Sequence, residues 1–235
     1  MLPIVILAGG LASRLRPITE TIPKSLLEVA GEPFIAHQLR ELARQDIDNV
    51  VLCVGFLGEQ IKRFVKDGSQ YGVQVQYSYE TNKLLGTGGA INKALPLLGD
   101  EFFVLYGDSW LEVDYLAVQR TYEKSKSSAL MTVFRNEGRW DTSNVEMGGN
   151  QIKLYSKDQR NPRMTHIDYG LGILKPQLFK NYPENTKFDL AEIYESLSES
   201  GRLASFEATN RFYEIGSHDG LNELNQLIKQ NKGIK

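Results

Sequence analysis

Leu7-Ala8-Gly9-Gly10-Leu11-Ala12-Ser13-Arg14-Leu15-Arg16-Pro17, continued to Pro23-Lys24, is the stretch whose reading decides the fold. The apolar run Leu2-Pro3-Ile4-Val5-Ile6-Leu7 ahead of it suits a strand buried on both faces. That strand ends in two glycines and then meets Arg14, Arg16 and Lys24. Glycine lacks a Cβ, so the backbone can turn sharply and bring its N–H groups close to an anion. Guanidinium forks match phosphate oxygens, and a lysine adds a compact point charge. The glycine pair alone is equally a simple turn; with the three cations the segment reads as a polyphosphate cradle. The spacing excludes two better-known cradles. Lys24-Ser25 lacks the long glycine loop of a Walker motif, and no third glycine completes a dinucleotide fingerprint.

Working outward, Pro33 suits the first turn of a helix striped by Ile35, Leu39, Leu42 and Ala43. Asn49 to Val54 reads as a second buried strand. A helix marked by Leu57, Ile61, Phe64 and Val65 follows, then a strand over Val73 to Tyr79. Strand, helix, strand, helix, strand argues for a parallel sheet with crossover helices on its faces. Ligands in such sheets collect beyond the carboxyl ends of the strands, where the cradle lies. Leu85-Gly86-Thr87-Gly88-Gly89-Ala90 then opens a helix through Ile91, Ala94 and Leu95, and its glycines permit close approach of a flat ring or an anion.

Glu101 to Tyr106 is a further strand running into Gly107-Asp108-Ser109. An acidic residue at that tip is placed either to hold a hard cation or to cap a turn. From Ser127 the pattern changes to shorter strands: Ala129 to Phe134, Asn144 to Met147, Gln151 to Tyr155 after a Gly148-Gly149-Asn150 hairpin, and Ile167 to Leu174. Arg211 to Asp219 leads into a last amphipathic helix carrying Leu221, Leu224, Leu227 and Ile228, with His218 and Asp219 expected at its cap.

Composition bounds the rest. A chain of 235 residues makes one domain or two small ones. A net charge of -2 gives no support for a nucleic-acid surface or a polybasic anchor. Met1 to Ala8 is too short to span a membrane and lacks the charged start of a signal peptide, so a cytoplasmic location is expected by default. Cys53 is the only cysteine and sits in an apolar strand pattern, as a buried inert thiol would. A homo-oligomer is compatible with all of this.

Leu7-Ala8-Gly9-Gly10, Arg14-Leu15-Arg16-Pro17, Ile22-Pro23-Lys24-Ser25-Leu26-Leu27 and Gly31-Glu32-Pro33 together resemble the signature of the sugar-1-phosphate nucleotidylyltransferases. Within that family the chain looks most like short members acting on mannose- or heptose-type 1-phosphates with GTP. The resemblance implies an α/β, Rossmann-like, mixed but mostly parallel sheet flanked by helices (the nucleotidyltransferase fold). It also implies a single domain over residues 1–235, with a nucleotide-binding part over 1–126 and a small α+β sugar-side elaboration plus closing helix over 127–235.

The resemblance places Leu7, Ala8, Gly9, Gly10, Arg14, Lys24, Gly86, Thr87 and Gly88 on the nucleotide, with Arg14, Lys24 and Asp108 as catalytic residues. Asp108 and Glu214 become the ligands of Mg²⁺, Glu214 standing where the family carries aspartate. Asn144, Glu146, Lys157, Asp168 and Gly170 would surround the sugar phosphate, although Ser156-Lys157-Asp158 replaces the family's frequent Glu-Lys-Pro and Lys157 alone reads equally as a surface lysine.

The expected partners are a nucleoside triphosphate and a sugar 1-phosphate, with no nucleic acid and no membrane. The acceptor phosphate is mostly dianionic at neutral pH, its second pKa being about 6 by analogy with phosphorylated side chains. No general base is then needed, which suits a chain whose three histidines lie in no motif. Two other readings remain open on the residues: a silent regulatory subunit on the same fold, and a transferase for a non-sugar phosphate such as phosphocholine, walled by Trp110 and Trp140.

Overall fold

The structure, a computed structural model, describes residues 1–10, 12–80, 83–149 and 151–232. Leu11 of the glycine stretch and Asn150 of the expected hairpin therefore lie outside the described residues.

The first half follows the expected alternation: β1 (Ile4–Leu7), the short ribbon β2 (Glu28–Val29) and β3 (Glu32–Pro33), α1 (Phe34–Arg44), β4 (Asn49–Val54), α2 (Gly58–Val65), β5 (Gln74–Tyr79), α3 (Gly86–Ala94) and β6 (Phe102–Tyr106). The second half holds β7 (Ser109–Trp110), α4 (Tyr115–Ser125), β8 (Ala129–Arg135), β9 (Val145–Gly148), β10 (Gln151–Tyr155), β11 (His166–Leu174), α5 (Leu190–Glu199), β12 (Leu203–Ala208), β13 (Tyr213–Glu214) and α6 (His218–Lys232).

One nine-stranded sheet runs through both halves in the order β5-β4-β1-β6-β11-β8-β12-β10-β9. Its first four strands are parallel, with Leu7 opposite Cys53 on one side and Tyr106 on the other. Their carboxyl ends therefore share one edge. β11 then enters antiparallel to β6 and β8, and β12 returns parallel to β8.

The alternation of β1 explains its unbroken apolar run. Ile4 and Ile6 enter the core beneath α1, α2 and α4, Val5 enters the opposite core with α3 and α5, and all three are fully buried. A separate small cluster joins Leu224 and Ile228 of α6 to Val29, Phe34 and Ile215.

Besides the two-residue strands β2, β3, β7 and β13, three longer elements went unread in the sequence. α4 and α5 are capped by Asp114 and Asp189, the latter with a complete capping box to Glu192, and β12 is inserted beside β8. One expectation is corrected. Ser217 caps α6, its Oγ accepting from Gly220 N at 3.1 Å, whereas His218 and Asp219 are already helical. A hydroxyl one residue ahead of the first turn reaches the orphan N–H groups of that turn.

Candidate active site

The carboxyl edge of β1, β4 and β6 opens into a cavity of about 250 Å³. Leu7, Ala8, Gly9, Gly10, Lys24, Gly86, Thr87 and Asp108 all line it. Gly9 packs closely here: a Cβ would stand 2.6 Å from Oε2 at the movable end of Glu80 and 3.2 Å from Gly55 N. Gly10 has nothing within 4 Å of that position, so its backbone faces open space. Gly86 has φ +73, a conformation that favours glycine, and begins α3 at the cavity wall. A larger hollow of about 850 Å³ lies between α1 and the segment 110–116. It contains none of the strand-end residues, and its Arg40 and Arg44 are already paired with Glu32 and Glu41.

The charged centre is built from three distant parts of the chain. Lys24 Nζ donates to Asp108 Oδ2 at 2.5 Å across 84 residues of sequence. Glu214 arrives on β13, which pairs with β7 so that Glu214 stands opposite Ser109, and Ile215 N donates to Asp108 O at 2.9 Å. A single point above Gly216 lies 3.5 Å from Lys24 Nζ, 3.8 Å from Glu214 Oε2 and 4.0 Å from Asp108 Oδ2. One carboxylate thus pairs with the ammonium group and a second stands close by.

Glu214 opens onto solvent beside Asp108, and its surroundings disfavour its charge. Desolvation first, and then Asp108, push its carboxyl up to about 7, against the opposing charge of Lys24. Magnesium commonly takes one or two carboxylates and completes its shell with phosphate oxygens and water, and this donor pair fits that habit. Among the described residues no group of three or more His, Cys, Asp or Glu side chains gathers for an all-protein metal cage.

β11 brings residues expected around the sugar phosphate to the same edge. Its pairing with β8 shifts register between Asp168 and Gly172, and Gly170 within that bulge has φ +96 and packs against Ser109. Asp168 Oδ1 accepts from Gly170 N, and Asp168 N donates to Asn144 Oδ1, both at 2.9 Å. Burial pushes the Asp168 carboxyl up to about 6, opposed by the Gly170 N–H and by the charge of Lys157. Asn144, Lys157, Asp168 and Gly170 therefore form one group beside Asp108.

The chain-long match to the family model described as "Nucleotidyl transferase", over residues 4–231, covers every one of these parts. The chain belongs to that family. This nucleotidyltransferase is 31% identical over 236 residues to the N-acetylmuramate alpha-1-phosphate uridylyltransferase of Neisseria meningitidis serogroup B, covering 95% of this chain and 96% of that protein. It is 28% identical over 212 residues to the D-glycero-alpha-D-manno-heptose 1-phosphate guanylyltransferase of Campylobacter jejuni, covering 90% and 93%. Among solved structures, HddC from Yersinia pseudotuberculosis complexed with GMP-PN superposes with a TM-score of 0.80 at 24% identity, over 97% of this chain and all of that one, which shows the shared fold.

Asn144, Lys157, Asp168, Gly170 and Glu214 lie outside the cavity lining itself, and so do three further expected site residues of the nucleotidyltransferase. Arg14 is exposed on the 3-10 turn Ser13–Leu15 and does not line it. Gly88 packs on Phe188, where a Cβ would stand 2.9 Å from Cζ. The Glu146 carboxylate is taken by Arg163 Nε at 2.8 Å and Asn161 Nδ2 at 3.2 Å.

The suggested choline walls are likewise engaged. Trp140 carries the Arg211 guanidinium 3.7 Å from its ring centre, and Trp110 packs with the α6 cluster.

Cys53 is buried and free; burial raises its thiol pKa, as an inert core group requires. No helix of the described residues is long and apolar enough to cross a membrane. Glu80 went unread in the sequence. It lines the cavity just past β5, holds Leu85 N at 2.5 Å, and burial raises its pKa. Its only sequence signal is its place at the carboxyl end of an alternating strand. Ser25 Oγ, also at the cavity wall, is buried without a hydrogen-bond partner among the described residues.

Proposed function

We propose that this nucleotidyltransferase joins the nucleotidyl group of a nucleoside triphosphate to a sugar 1-phosphate and releases pyrophosphate, with residues 1–126 receiving the nucleotide and 127–235 the acceptor. The observation that carries the reading is the convergence of Lys24, Asp108 and Glu214 at the mouth of the glycine-lined cavity. An acceptor phosphate oxygen attacks the α-phosphorus in line, the bond from that phosphorus to the bridging oxygen breaks, and pyrophosphate leaves. The obstacle is repulsion between two polyanions, so positioning and charge stabilisation account for most of the catalysis.

Gly9 and Gly10 let the backbone approach the triphosphate, and Lys24 turns from Asp108 to the α-phosphate. Arg14, on its exposed turn, would meet the β and γ groups. Asp108 and Glu214 would hold Mg²⁺, which supplies neutralisation of developing phosphate charge. Asn144, Asp168 and Gly170 would face the sugar, with Lys157 on its phosphate. No residue need remove a proton, since the attacking phosphate is already mostly ionised at neutral pH (second pKa about 6).

GTP with a mannose- or heptose-type 1-phosphate is the preferred substrate pair, supported by the guanylyltransferase relative matched over 93% of its length. UTP with an N-acetylmuramate-type acceptor is the second reading, favoured by the uridylyltransferase relative at 31% identity. A cytoplasmic enzyme without nucleic-acid partners agrees with the net charge of -2.

Thermal-shift ranking of the four ribonucleoside triphosphates with Mg²⁺ selects the base, because a ligand of the folded state raises apparent stability. Pyrophosphate release over a panel of sugar 1-phosphates then tests the reaction. Lys24→Ala or Asp108→Ala is expected to lower turnover by at least about a hundredfold, comparable to losing one oxyanion-type donor. Near-normal turnover in both variants would remove the assignment; no turnover in the wild type with any acceptor would favour a silent subunit.

A further inference from the structure

The two halves of the cleft are joined through one carboxylate. Thr87 Oγ1, in the first turn of α3, donates to Asp189 Oδ1 at 2.9 Å and accepts from Leu190 N at 2.8 Å. Asp189 Oδ2 accepts from Lys157 Nζ at 2.5 Å. The same side chain caps α5, with Ala191 N donating to Oδ1 at 3.0 Å. Capping needs only a side-chain oxygen, and asparagine or serine supplies it as well as aspartate does. The full negative charge is needed only for Lys157.

The neighbouring backbone leaves this junction little play. Gly88 N donates to Phe188 O at 3.2 Å, and a Cβ on Gly86 would stand 3.2 Å from Phe188 C and closer still to its oxygen. The start of α3 and the segment leading into α5 therefore move together. Lys157 faces two carboxylates here, since its charge also acts on Asp168 across the acceptor side.

A lysine on a four-carbon stem is a mobile point charge unless a partner holds it. Resting on the nucleotidyl-transfer reading, we propose that Asp189 is a positioning residue that holds the Lys157 ammonium toward the acceptor's phosphate and ties that contact to Thr87 at the nucleotide pocket. Asp189 touches no substrate atom itself; it uses one of the ammonium's three donors and leaves two for phosphate.

Asp189→Asn separates the charge from the cap. Asparagine keeps an oxygen for Ala191 N and Thr87, so the melting temperature should stay within about 2 °C, an ion pair between partly exposed groups being a minor contributor to stability. The KM for the sugar 1-phosphate should rise on the order of fivefold to tenfold, as expected when a charge-assisted contact loses its orientation, while the KM for the triphosphate changes by less than about twofold. In a Lys157→Ala background the same substitution should leave the acceptor KM where Lys157→Ala alone puts it, because Asp189 acts through Lys157.

A second readout needs no turnover. Inorganic phosphate should slow acylation of Lys157 in the wild type, followed by peptide mass spectrometry, and Asp189→Asn should remove at least about half of that protection. An unchanged acceptor KM, an equal effect in the Lys157→Ala background, or equal phosphate protection would overturn the proposal. Wild-type protein inert toward every sugar 1-phosphate would instead refute the nucleotidyl-transfer reading, and the phosphate protection would still decide on Asp189.

Discussion

Gly107→Ala probes how tightly the site depends on the approach of β1 and β6. Gly107 follows β6, donates its N–H to Leu7 O at 3.1 Å and immediately precedes Asp108. A Cβ there would stand 2.9 Å from Leu7 C and 3.1 Å from Ala8 Cα, and closer still to Leu7 O. Carbon atoms rest at about 3.5–4.0 Å, so the two strand ends must part by roughly 0.6 Å or more. All three atoms are main chain, and no side chain can swing aside to relieve them. Overpacking of this kind costs about 1–3 kcal/mol.

The displacement falls between Gly9-Gly10 on one strand end and Asp108 on the other, the two sides of the proposed phosphate site. Misplacing catalytic groups by about 1 Å can cost about a hundredfold in rate, so a kcat loss between about tenfold and a hundredfold is expected. Pyrophosphate release at saturating substrates measures kcat, and urea unfolding measures stability separately. Wild-type kcat with a wild-type unfolding midpoint would refute the reasoning. Wild-type kcat in a destabilised variant would show that the strand ends tolerate the shift and that the site is less tightly set than argued.

Two further outcomes follow from the charges and the last helix. The Asp168 carboxyl has a folded-state pKa raised by burial to about 6, so its contribution to stability is complete below its unfolded pKa and is lost as pH rises through about 6. Urea midpoints at pH 5 and pH 8 should therefore differ less in Asp168→Asn than in the wild type, the difference between proteins removing the parallel effect of Glu214; an identical pH response would contradict a desolvated carboxyl. Ser217→Ala should cost about 0.5–2 kcal/mol through loss of the α6 cap, seen as a lowered urea midpoint, whereas His218→Ala should cost less.

Local chemistry made much of this protein legible from its chain. The buried run ending at Leu7, the glycine pair, the helix opening at Gly86 and Asp108 at the tip of β6 each announce themselves within a few residues, because strand period, turn chemistry and strand-end position are local properties. Those signals were enough to place the cavity at the carboxyl edge of a sheet.

What the chain could not announce were meetings between distant segments. Whether Lys24 reaches Asp108 depends on β1 and β6 being neighbours in the sheet, and whether Glu214 joins them depends on β13 pairing with β7. Arg14 was expected at the site from the local cradle pattern and Glu146 from the family resemblance, but packing gives Glu146 to Arg163 and leaves Arg14 on an exposed turn outside the cavity lining. Glu80 carries no motif and Asp189 only that of a helix cap, yet the fold sets one beside Gly9 and the other between Thr87 and Lys157. Sequence by itself determined the elements and the chemistry available at their ends. Tertiary structure alone decided which charges face one another, since Coulomb and hydrogen-bond energies depend on distances in space that strand order sets and residue spacing does not.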